Sequence, residues 1–265
     1  MAILRQHLRH EAGALVGWAV AVILLVLLQT SLYRVLAGSV VAPQLVKALH
    51  GLPPQLVQFV GGGLGILNVS GWLGAMDLSG WMTLIVSIWV ALAAVSIVAA
   101  DVDHHTLEFL LALPVRRGRL LLERSLSLLL QLLLLYVGIF LAALVALAWI
   151  GESTSDLRFA EALAVLLLDQ AALAGTLVLV SLFLREQTYA VLTTVTLAAV
   201  FVFIPVFVEP NSALGFVRHL TPFDYQAAGT LMQRGTYPGG QIALAAIWAA
   251  VAFGAAWAVF SRQEV

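Results

Sequence analysis

Long apolar runs free of charge set the pattern of this chain. They extend over 12–33, 78–100, 125–151, 187–208 and 235–261, and a sixth, 162–184, is interrupted by one carboxylate, Asp169. Crossing a hydrocarbon core about 30 Å thick takes about 20 apolar helical residues, and each run is long enough. The pattern predicts an all-α integral membrane protein with a single domain over 1–265, its six transmembrane helices lying near 12–33, 78–100, 120–150, 161–184, 187–208 and 241–261. The stretch 48–76 is also charge-free, but it contains Pro53 and Pro54 and seven glycines. Proline lacks a backbone donor and lipid offers no replacement hydrogen bond. This stretch reads as an extramembrane loop with a short interfacial helix around 55–60, not as a seventh span.

Basic residues orient the bundle, because short cytoplasmic segments collect Arg and Lys. Arg5 and Arg9 precede the first span, while Arg116, Arg117, Arg119 and Arg124 cluster between the second and third. The six-span count puts both groups on one side, with Arg185 and Arg262. Both termini are therefore expected in the cytoplasm. The apolar run after Arg9 is too long for the roughly 7–15-residue core of a signal peptide. Before it, Ile3, Leu4 and Leu8 share one helical face and Arg5 and Arg9 another, which predicts a short amphipathic helix on the cytoplasmic leaflet. Tyr33, Trp81 and Trp149 are expected at the outer interface, and Trp18, Tyr189 and Trp257 at the inner one.

Composition narrows the function classes. Of the 265 residues, 62% are hydrophobic and 10% charged, against about 25% charged in soluble domains; a soluble enzyme or binding module is excluded. The formal net charge of −1 gives no reason to expect nucleic acid as a partner. The chain has no cysteine, so disulfides and thiol chemistry are absent. No G-x-x-x-x-G-K-[ST] loop, H-E-x-x-H helix or G-x-S-x-G elbow occurs, so no phosphate cradle, zinc-hydrolase site or serine nucleophile is encoded. No cofactor is expected on this chain.

The densest polar segment is the loop between the second and third spans. On a helix, Asp101, His104, His105 and Glu108 form one stripe and Val102, Thr106, Phe109, Leu110 and Leu113 the opposite one. Pro114 closes the element, since the residue before proline disfavours helix. This predicts a helix along the cytoplasmic interface with an acidic and imidazole face turned to water, a docking surface for a soluble partner. Asp101, His105 and Glu108 also share a spacing that could hold zinc, but adjacent histidines on a solvated face are commoner without metal, and no metal site is assigned.

At these residues a resemblance emerges. The run Thr106-x-Glu108-x-Leu110-Leu111-Ala112-x-Pro114-Val115-x-Arg117, preceded by Asp101 and Asp103 and followed by Glu123-Arg124, resembles the signature of ABC transporter permeases of the type-2 class. Leu52-Pro53-Pro54-Gln55-Leu56 is similar to an outer-loop element of a subset of these permeases, and Leu220-Thr221-Pro222-Phe223-x-Tyr225 to an element between their last two spans. His105 and Arg116 depart from the usual Gly and Ser/Thr. The resemblance implies a permease subunit of an ATP-driven exporter that dimerises with a second permease copy. It also implies two copies of a separate cytoplasmic ATPase, which carry the ATP and Mg. Asp101 to Pro114 would then be the coupling helix seated in that ATPase, with Glu108 the first candidate contact. Arg116, Arg117, Arg119 and Arg124 would meet either lipid phosphates or the partner. Two alternatives stay open: an accessory permease for copper-site maturation of an extracytoplasmic metalloenzyme, and, from another class, a channel or membrane enzyme without ATP drive.

Asp169 is the one charge within the apolar runs. A carboxylate there costs about 2.5–3.5 kcal/mol on insertion scales, so it should face the bundle, a partner or a cavity. It is a candidate for the translocation path, or for a structural hydrogen bond to Gln29 or Gln131. Gly13 and Gly17 have the spacing of a close-packing face.

Overall fold

The computed structural model describes residues 2–37, 68–97 except 79, 117–208 except 185, 215–223 and 239–262, with isolated positions in 39–57 and 228–237. Seven α-helices follow in order: α1 (Ala2–Ala37), α2 (Val69–Met76), α3 (Gly80–Ile97), α4 (Arg117–Ile150), α5 (Asp156–Ser181), α6 (Gln187–Phe207) and α7 (Gly239–Arg262), with a short 3-10 helix at Gly215–Leu220. All except α2 are long and apolar enough to cross a membrane, which makes six spans among the described residues. An even number of crossings would put Ala2 and Arg262 at the same end of the bundle.

Lipid forces this all-helical solution, because a helix satisfies its own backbone where no water is available. Two helices overrun the bilayer. At about 1.5 Å per residue, the 36 residues of α1 and the 34 of α4 reach about 50 Å. The expected amphipathic N-terminal segment is therefore the first turns of α1, with no break before the span. The overrun also brings Glu123 and Arg124 into the buried base of α4, where the sequence pattern places only Asp169 inside.

The helices pack as α1 on α4, α5 on α7, and α3 on both α6 and α5. Gly175 lets α5 and α7 approach: a Cβ there would sit 3.0 Å from the Ala252 Cβ and from the Phe253 ring. Gly13 and Gly17 have no such neighbour within 4 Å among the described residues. At the other end of the bundle, Asn68 caps α2 by accepting from the Gly71 amide at 2.7 Å, and this eight-residue helix tucks against α1. Trp72 Nε1 donates to the Gln29 carbonyl at 2.9 Å, and the Trp72 and Tyr33 rings stand 5.9 Å apart. Tyr33 is thus buried in the packing and does not join an interfacial belt, whereas Trp149 is 85% exposed at the end of α4. The interfacial helix expected around 55–60 falls largely outside the described residues.

Asp77, in the turn between α2 and α3, is buried, and among the described residues neither carboxyl oxygen has a hydrogen-bond partner. Burial pushes its carboxyl up to about 8, with Thr30 close enough to pull modestly the other way though no hydrogen bond of ordinary geometry forms.

Candidate functional site

A polar seam crosses the middle of the bundle where α5 carries Asp169 and Gln170 side by side, both with no exposed surface. Asp169 Oδ1 accepts from Gln241 Nε2 of α7 at 3.2 Å, and the same nitrogen donates to the Pro222 carbonyl. Tyr136 of α4 is buried within electrostatic range of Asp169. Gln170 turns to α3, where its Nε2 donates to the Thr83 carbonyl at 3.0 Å and to Ser87 Oγ at 2.9 Å. An unpaired polar group in hydrocarbon costs several kcal/mol, so each bond ties one span to another. Asp169 meets Gln241, not the expected Gln29 or Gln131; Gln131 bonds Ser127 within its own helix at 3.2 Å. Gln241 escapes a sequence reading because it stands at the boundary between the last loop and the last apolar run, where a polar residue looks ordinary.

The seam continues into the loop before α7. Pro205 lies inside α6; without an N–H it cannot bond the carbonyl four residues back, that of Phe201. Thr221 Oγ1 donates to that Phe201 carbonyl at 2.8 Å and accepts from the Phe223 amide at 3.3 Å. Thr221-Pro222-Phe223 therefore repairs the proline gap of α6 through its hydroxyl, and its Pro222 carbonyl receives the Gln241 side chain.

A second polar group sits at the root of the loop between α3 and α4. Arg124 is buried, and its Nη1 donates to the carbonyl of Ile97, the last residue of α3. A buried guanidinium donating to a carbonyl of a neighbouring helix joins the two helices through a charge-assisted hydrogen bond. Arg119 Nε pairs with Glu123 Oε1 at 2.9 Å on the surface of α4. The basic cluster thus divides: Arg119 lies at the surface, Arg124 clamps α3 to α4, and Arg117 opens α4. Arg116 and the predicted docking stripe, Asp101, Asp103, His104, His105, Glu108 and Pro114, lie outside the described residues. Among the described residues no group of three His, Asp, Glu or Cys is placed to hold a metal.

Six apolar spans, one polar seam and a clamped loop are the frame of a transport subunit. A family model for the ABC-2 family transporter protein matches residues 1–265. The chain belongs to the ABC-2 transporter family. No curated protein matches it. This ABC-2 permease is a multi-pass protein of the cell membrane, and its family implies partnership with an ABC ATPase.

Proposed function

We propose that this ABC-2 permease works as a dimer that moves its substrate outward, driven by two copies of a separate cytoplasmic ATPase that bind ATP and Mg. The observation that carries the reading is the family match over the whole length of a six-span chain. The outward face of α6 supports the dimer: Tyr189, Leu192, Thr193, Thr196, Val200 and Phe207 are exposed on the single chain, and α6 packs on α3. Two such faces brought together enclose a path with hydroxyls at Thr193 and Thr196.

The coupling helix of residues 101–114 seats in the ATPase, with Glu108 as a charged contact. Because Arg124 ties the end of α3 to α4, a push on the loop between them moves both helices together. Gln170 then carries the displacement of α3 into α5, and Asp169 carries it through Gln241 into α7. In this reading Asp169 is a positioning residue that holds α5 and α7 together. Asp169→Asn keeps a hydrogen-bonding partner for Gln241, so transport with wild-type pH dependence is expected; a shifted pH profile would return Asp169 to a proton-linked role in the path. The reading as a whole is tested by co-expressing the full chain with the Walker-A ATPase of its own genome and purifying through the permease. Two ATPases per two permeases are expected; a permease that purifies alone and transports without ATP would contradict it.

A further inference from the structure

A groove of about 570 Å³ runs between α4, α5 and α7, lined by apolar side chains that include Leu133, Val165, Leu168 and Ile242. Its volume lies within the range of about 300–1,000 Å³ typical of ligand pockets. Leu133 and Ala164 are exposed along it, and α6, whose outward face is proposed to dimerise, does not line it. The groove therefore opens to lipid.

Its lining changes character only near the end opposite the termini. There Glu161 of α5 and Tyr237, just before α7, join the wall, and Tyr237 Oη donates to Glu161 Oε1 at 2.6 Å. That bond is the main reason the phenol is held above its usual range, with burial and the Glu161 charge adding to it. One helical turn from Glu161, Arg158 is exposed, and no ion pair engages it among the described residues. Its guanidinium lies across Gly235, where a Cβ would come within 3.3 Å of it. Gly235 has φ +68°, a left-handed conformation that glycine adopts without strain, so the backbone leaves room for the cation beside the groove mouth. The exposed Trp149 at the same end of α4 marks this level as the membrane interface.

An apolar groove alone selects nothing in a bilayer, because lipid tails are as apolar as the helices they touch. Selectivity must come from the rim, and among the described residues the rim presents the cation of Arg158 and the carboxylate of Glu161. We propose that the groove holds a phosphatidylethanolamine of the leaflet opposite the termini. Its phosphate pairs with Arg158, its primary ammonium with Glu161, and one acyl chain lies along Leu133, Val165, Leu168 and Ile242. Guanidinium and phosphate match in charge and fork geometry. The ammonium carries protons for Glu161 that a quaternary amine lacks, and a glycerol headgroup brings no cation at all. The site stands independently of which substrate the transporter moves.

The test is native mass spectrometry of the purified full-length chain, delipidated and titrated with phosphatidylethanolamine, phosphatidylcholine and phosphatidylglycerol of identical acyl chains. The wild type should retain phosphatidylethanolamine about tenfold better than the other two, the factor that one charge-assisted hydrogen bond carries. Glu161→Gln should level the three lipids, and Arg158→Gln should weaken all three. Arg158→Lys, which keeps the cation, should preserve the preference and guards against loss through misfolding. Equal retention by the wild type, a preference for phosphatidylglycerol, or retention unchanged by both charge-removing variants would overturn the proposal.

Discussion

Pro205 removes the donor that the Phe201 carbonyl would otherwise have in α6, and Thr221 supplies a replacement from a different part of the chain. The two residues are therefore coupled. Thr221→Val should destabilise the permease by about 1–3 kcal/mol, the penalty for a buried acceptor left unsatisfied. Pro205→Ala restores the amide that can bond Phe201 within the helix, so Thr221→Val should cost markedly less in that background. Unfolding of the four variants in detergent measures the coupling, and additive losses would contradict it. Asp77 offers a second test on single residues. The folded chain holds its proton up to about pH 8, while the unfolded chain releases it in the ordinary carboxylate range. The folded state thus binds more protons across that interval, and stability from this group falls as pH rises through it. Asp77→Asn should flatten the dependence and melt above the wild type at about pH 9; parallel curves for the two proteins would refute the assignment.

Among the elements, the contact between α5 and α7 leaves little room, because Gly175 meets Ala252 and Phe253 at the limit of approach. Gly175→Val should cost about 1–3 kcal/mol through overpacking, and Phe253→Leu should recover part of it; thermal unfolding of the single and double variants decides. The spans themselves were legible in the sequence, because lipid imposes a length and an apolar composition that runs such as 187–208 display directly; α6 is Gln187–Phe207. The prolines and glycines of 48–76 read as a loop; most of that stretch lies outside the described residues, and its described end is the helix α2. Contacts between spans were not legible. Gly13 and Gly17 have the G-x-x-x-G spacing yet meet no neighbour within 4 Å among the described residues, whereas Gly175, outside any such pair of glycines, is where two helices meet. Periodicity tells which residues are apolar but not which neighbour they face. For the same reason Asp169 could be singled out from sequence while Gln241, which it meets, could not.

Over the described part of the molecule, the buried charges of Arg124 and Asp169 each tie one helix to another. Arg124 illustrates how far the sequence carries: its position among four arginines suggested the surface, yet the overrun of α4 buries it against the end of α3. In the proposed reading, that clamp lets an ATPase seated between α3 and α4 move both helices together. The most direct test reconstitutes the permease with its ATPase and measures ATP hydrolysis and transport together, for the wild type and for Glu108→Arg. The variant should express and insert normally, yet lose ATPase binding or hydrolyse ATP without transport. Hydrolysis and transport indistinguishable from the wild type would contradict the account.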